Sequence, residues 1–113
     1  MQDNDRYRLG HMVEFCQKLI LLRSASSEEN LEDDWVKMLA VTQLFEMLGE
    51  AAKNISSEFR SLHPEVPWRG IITMRNRLIH GYDDIDYDLI WEALEDEVPL
   101  LLEQVQELLQ TLP

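Results

Sequence analysis

Between Trp91 and Leu112 the apolar residues Trp91, Leu94, Val98, Leu101, Val105, Leu108 and Leu112 recur at alternating spacings of three and four. That period belongs to an α-helix with one buried seam, because a strand of period two would scatter the same side chains over both faces. Pro99 lies inside the run, where it removes a backbone donor and predicts a kink. The same spacing at Leu9, Met12, Val13, Cys16, Leu19 and Ile20 predicts a first helix over about Asp5–Arg23.

Two interruptions divide the rest. SASSEEN, Ser24 to Asn30, is rich in side chains that compete for backbone hydrogen bonds and reads as a connection. SSEFRSLHPEVPW contains Pro64 and Pro67, which disfavour helix in the residues before them, and reads as a second connection. Between them a long helix, about Leu31 to Ile55, carries Trp35, Met38, Thr42, Phe45, Gly49 and Ala52 on one stripe and Val41, Leu44, Leu48 and Ile55 on another. Such a helix either lies at the centre of its own bundle or packs on a partner as well, and Gly49 with Ala51 and Ala52 permits close approach. A short third helix is expected from Pro67 to about His80, with Gly81 stopping it and Asp86 capping the last helix over Tyr87–Leu112. No segment carries a strand signal. The expectation is an all-α, up-and-down helical bundle of four main helices, the third of them short, in a single domain spanning residues 1–113.

The formal net charge is −12 and is unevenly spread. Residues 1–59 carry 6 basic and 11 acidic side chains, residues 60–82 carry 4 and 1, and residues 83–113 carry 0 and 10. Broad nonspecific nucleic-acid binding depends on phosphate neutralisation, which this balance opposes. A basic island in an acidic body suits a confined stretch of RNA or a small anion instead. One cysteine, Cys16, forms no internal disulfide and reads as a small core residue. The start MQDNDRYRLGH has no apolar core of a signal peptide, and no charge-free apolar run reaches the ~20 residues that cross a bilayer, so a soluble, cytoplasmic protein is expected.

The island coincides with the third helix. At 100° per residue, Ile71, Ile72, Met74, Leu78 and Ile79 define its apolar face, and Arg75 falls in the middle. A guanidinium there needs a compensating group. Glu46 or Glu50 of the preceding helix supplies one reading, a core ion pair with His80 as a solvent-facing helix end; a phosphate bound in a cleft supplies the other. Asn76 and His80 share a neighbouring face, with Thr73 and Arg77 beyond them. Arg75 lies about 140° around the helix from His80, so one copy aims both at a single atom only where the helix end unwinds or a second subunit contributes its pair across a two-fold axis. Arg, His and amide donors suit RNA cleavage without a metal or cofactor: imidazole moves the proton, guanidinium stabilises the phosphorane, and the substrate's own 2′-hydroxyl attacks. His11 and His63 are too scattered to join His80 around zinc, and Asp83, Asp84, Asp86 and Asp88 lack the glycine and terminal glutamate of a calcium loop. Trp35, Trp68 and Trp91 are expected to fill core or interface.

The run R-N-R-L-I-H-G-Y at 75–82 resembles the R-x4-H-x-Y motif of HepT-like toxins, a branch of the HEPN superfamily. LFEMLGEAAKNIS at 44–56, HPEVPWRGIITMRNRLIHGYDDID at 63–86 and IWEALEDEVPLLLEQV at 90–105 are similar to the family's remaining signatures. The resemblance implies a HEPN-like homodimer with two copies of Arg75 and His80 in one cleft, Asn76 and Arg77 in support or on the RNA. It further implies an endoribonuclease toxin paired with a minimal nucleotidyltransferase (MNT) antitoxin, which silences it by AMP transfer to Tyr82. Two non-enzymatic readings stand beside it: a HEPN module that binds a nucleotide or a nucleotidyltransferase without catalysis, and an adaptor that only dimerises through the last helix.

Overall fold

A computed structural model describes residues 3–112 of the chain. The elements in order are α1 (Asp3–Ser24), α2 (Glu28–Asp33), α3 (Trp35–Lys53), α4 (Ser57–Leu62), α5 (Trp68–Leu78), β1 (Ile79–Gly81), β2 (Asp84–Ile85), α6 (Tyr87–Glu92), a π-helical turn (Ala93–Glu97) and α7 (Val98–Thr111). The architecture is the expected all-α bundle: α1 packs between α3 and α7, and α5 lies on the other side of α3. Leu9, Met12, Cys16 and Leu19 of α1 meet Val41, Phe45 and Leu48 of α3 and Val98, Leu101 and Val105 of α7 in one hydrophobic core. Burial in that core pushes the Cys16 thiol up to about 12, which leaves it without reactive thiolate at neutral pH. Among the described residues no helix is long and apolar enough to cross a membrane.

Three boundaries before α5 differ from the sequence expectation, each for a local reason. The connection after α1 contains α2, whose first turn is closed by the Ser27 hydroxyl accepting from the Asn30 amide at 3.2 Å. The long second helix does not begin at Leu31, because Asp34 takes an extended conformation (φ −105°, ψ 90°) and its carboxylate accepts from the Lys37 amide at 3.1 Å to start α3 afresh. The second connection likewise holds α4, capped by Ser56. That cap is fixed from α1, since the buried Asp5 carboxylate accepts both the amide of Ser56 at 2.8 Å and its hydroxyl at 2.7 Å.

The last helix is interrupted, but upstream of the proline. The Val98 amide bonds to the Ala93 carbonyl, five residues back, opening a π turn immediately before Pro99. A wide turn there accommodates the missing donor and the bulk of the ring. Downstream of Glu92 the seam holds, as Leu94, Val98, Leu101, Val105 and Leu108 are all buried, with Leu112 half-buried at its end; upstream of the π turn it shifts by one residue, so that Ile90 is buried and the expected Trp91 only half-buried. Asp86 caps α6 as expected, its carboxylate accepting from the Leu89 amide at 3.1 Å.

The contact that sets the position of α5 is at Gly49. A Cβ there would lie 3.2 Å from the Ile72 carbonyl oxygen and 3.3 Å from that of Ile71, so the backbones of α3 and α5 meet with no side chain between them. The close approach allowed by the small residues of the long helix is therefore made within the chain. Gly49→Val is expected to push α5 outward at an overpacking cost of ~1–3 kcal/mol. The corresponding drop of ~5–20 °C in Tm is measurable by thermal circular dichroism, and an unchanged Tm contradicts the contact.

Candidate active site

Helix α5 presents Trp68, Ile71, Met74 and Leu78 to the core and leaves Arg69, Thr73, Asn76 and Arg77 exposed. Arg75 sits at the boundary, half-buried. Its expected carboxylate partner is not there: Glu46 and Glu50 are exposed, and no described carboxylate pairs with Arg75. Instead Nη1 donates to Asn76 Oδ1 at 3.2 Å and, at 3.5 Å, to the Ile79 carbonyl, while Nε is buried with no hydrogen-bond partner. The Nε atoms of Arg8 and Arg23 are buried without a partner too; Arg75 differs from them in lining a recess beside Tyr82, where an acceptor from outside can meet its guanidinium. The core ion pair reading of Arg75 falls on these contacts.

The helix also ends earlier than the sequence suggests. Ile79 is already extended (φ −133°, ψ 103°), and residues 79–81 pair antiparallel with 84–85 in a two-stranded hairpin, Ile79 opposite Ile85 and Gly81 opposite Asp84. Gly81 does not stop the helix through a left-handed turn, as no described residue has a positive φ. The hairpin does: the Leu78 carbonyl, which a continuing helix would spend on residue 82, accepts from the Asp86 amide at 2.9 Å. His80 is thereby lifted off the helix onto a strand, exposed between buried Ile79 and half-buried Gly81.

Two adjacent recesses flank this hairpin. One, of about 400 Å³, is formed by Trp35, Met38, Leu39 and Thr42 of α3 with Arg75 and Tyr82. The other, of about 530 Å³, holds His80 beside Asp84, Asp86 and Asp88. Glu32, Ile85 and Tyr87 line both. The chain thus brings Arg75, Asn76 and Tyr82 together and sets His80 in the neighbouring hollow. Tyr82, at the turn, is 95% exposed. Arg77 is directed elsewhere, its Nη2 donating to Glu97 at 3.0 Å on the α7 side.

Sequence reasoning missed Glu32 and Tyr87 as lining residues, because α2 was not expected and Tyr87 looked like an ordinary first-turn residue. Trp35 was expected in the core or an interface and is 72% exposed, with Val36 at 58% and Leu39 at 62%, so the first turns of α3 place an apolar patch next to Arg75. Trp68 is in the core, its Nε1 donating to the His63 carbonyl at 2.9 Å, and half-buried Trp91 lies under the Arg23 guanidinium, 5.9 Å from the ring centroid. His11 stacks near Tyr7 and Phe15, and His63 near Phe59, both remote from His80 in contacts.

A small helical bundle with an unpaired arginine and an exposed histidine around one hairpin defines a class, and the comparison of sequences gives it a name. The HepT-like ribonuclease model matches residues 12–108, and the chain belongs to that family. It is 41% identical over 102 residues to a protein of Caldanaerobacter subterraneus subsp. tengcongensis named "Putative RNase", covering 90% of this chain and 91% of the relative. It is 33% identical over 106 residues to the "Probable ribonuclease HepT" of Thermococcus cleftensis, covering 91% and 96%. No solved structure matches it significantly.

The placement of Arg77 gives a direct expectation. Its exposed pair with Glu97 is of the kind that contributes ~0–1 kcal/mol. Arg77→Ala should leave both Tm and RNA cleavage close to wild type; a loss comparable to that of Arg75→Ala would place Arg77 in the catalytic machinery after all.

Proposed function

We propose that the chain is a metal-independent endoribonuclease working as a homodimer, the toxin of a HEPN/MNT toxin–antitoxin pair. The observation that carries this reading is the Arg75 guanidinium, half-buried at the edge of a recess with Nε unpaired and no carboxylate mate. A phosphate oxygen is the acceptor that such a group lacks.

In the reaction the substrate's 2′-hydroxyl attacks the adjacent phosphorus and the bond to the 5′-oxygen breaks. His80 assists the proton that leaves the hydroxyl or the one that reaches the departing oxygen, and Arg75 stabilises the charge that builds on the phosphorane. Asn76, bonded to Arg75, orients the guanidinium. Two features support a dimeric site. Arg75 and His80 face separate recesses within one protomer, and the exposed Trp35, Val36 and Leu39 beside them form an apolar surface suited to a second copy. Tyr82 suits AMP transfer because its phenol projects into solvent at the Arg75 recess. The added phosphodiester would bring negative charge and bulk to the place an RNA phosphate needs.

Purified protein should cleave RNA but not the equivalent DNA in the presence of chelator, and Arg75→Ala and His80→Ala should each lose at least ~10²-fold in rate. Mixing these two inactive variants then tests the dimeric site. If Arg75 of one subunit works with His80 of the other, random exchange restores roughly a quarter of wild-type activity, since about half the dimers are mixed and each carries one complete site. No recovery after verified subunit exchange rules out the shared site. Co-expression with a neighbouring nucleotidyltransferase should protect cells from the wild-type chain and not from Tyr82→Phe; equal protection argues against modification of that phenol.

A further inference from the structure

At the opposite end of α5 from His80, a further recess of about 580 Å³ opens between α4 and α5, lined by Ser57, Arg60, Ser61, Pro64, Trp68 and Arg69 among others. Two arginines and two hydroxyls face it, and no carboxylate lines it. That is unusual in a chain with 22 acidic side chains, and the recesses at His80 and Arg75 each include at least one. Neither arginine forms an ion pair among the described residues. Arg60 is half-buried and oriented by its Nε, which donates to the Ile55 carbonyl at 3.2 Å, leaving its terminal nitrogens free of any hydrogen-bond partner among the described residues. Glu65, the only acid of the basic window, is turned to His63 at 3.4 Å.

From this recess a carboxylate-free strip leads along the solvent face of α5. Arg69, Thr73 and Asn76 are all exposed and are spaced four and three apart, so they lie within about 60° of one another around the helix. The strip covers roughly 10 Å of helix axis and ends beside the strand that carries His80. We infer that the Arg60–Arg69 recess binds a backbone phosphate of RNA remote from the scissile bond, and that the strand runs from it along this face of α5 toward the cleavage centre. The inference rests on the ribonuclease reading for its direction, and on the recess alone for its ligand. Of the four basic residues of the window, Arg75 then serves cleavage, Arg60 and Arg69 serve substrate binding, and Arg77 is engaged with Glu97.

The test uses a dinucleotide and a 12-nucleotide RNA sharing one scissile step, with the Arg60→Gln/Arg69→Gln variant against wild type. Cleavage of the dinucleotide should be unchanged, and KM for the 12-mer should rise about tenfold, with the salt dependence of its logarithm shallower by ~1.4, or ~0.7 for each lost single-strand phosphate contact. Equal losses on both substrates, or none on the long one, overturn the subsite. Arg69→Gln alone removes a side chain with no hydrogen bond to the fold and should give part of the effect at unaltered Tm; Arg60→Lys should restore part of it. Binding of a 2′-O-methyl 12-mer, which cannot be cleaved, separates the two claims. A wild type that binds it more tightly than the double variant yet cuts no RNA keeps the subsite and refutes the nuclease, whereas equal binding by both proteins refutes the subsite whatever the activity.

Discussion

The structure of the site depends on a contact without side chains, the approach of α5 to Gly49. Because nothing larger than hydrogen separates the two backbones, the carbonyls of Ile71 and Ile72 sit against α3, and the residues that follow them are placed by main chain rather than by adjustable packing. Ile71, Met74 and Leu78 then fill the core, and Arg75, one position off that face, is carried to its edge. A guanidinium on the open face of α5 would be fully hydrated, and one in the middle of the core face would need a buried counter-charge. At the edge it keeps an unsatisfied N–H while remaining within reach of solvent, which is the condition for holding an anion that arrives from outside.

The second constraint is the early end of α5. In a continuous helix the five-residue separation would set Arg75 and His80 about 140° apart on a rigid cylinder. The hairpin removes that relation by handing the Leu78 carbonyl to Asp86, and it converts Tyr82 from a helix-end residue into the exposed tip of a turn. The acidic YDDID segment is therefore structural over its last three residues: Asp84 and Ile85 pair with the strand of His80, and Asp86 closes the hairpin with its amide and caps α6 with its carboxylate.

Much of this was legible in the sequence where periodicity speaks for packing. The seam from Leu94 to Leu108 and the face of Leu9, Met12, Cys16 and Leu19 are buried as their spacing requires. What was not legible was set by single hydrogen bonds or by tertiary capture. Asp34 splits a helix that its neighbours would continue; a three-residue strand has too little length for alternation to show; and the π turn answers to a proline six residues beyond its first residue. At the site, the motif spacing picked out Arg75, Asn76, His80 and Tyr82 around one hairpin, while Arg77, adjacent in sequence, turned to Glu97 because its Cβ points around the helix to the α7 side. Trp35 was expected in the core or an interface, and register alone leaves that choice open; within this chain it is not core but 72% exposed.

That last ambiguity bears on how so acidic a molecule handles a polyanion. Of the ten acidic residues after Tyr82, Asp84, Asp86 and Asp88 line the His80 recess, so RNA approaching from that side meets repulsion. From the α4–α5 side it meets Arg60, Arg69 and a helix face without carboxylates. On the inference drawn above, the charge pattern works as a direction: weak attraction overall, a favoured approach past α4 and α5, and the Arg75 guanidinium where that approach ends. An enzyme built this way gains little from long-range steering and relies on a few fixed arginines.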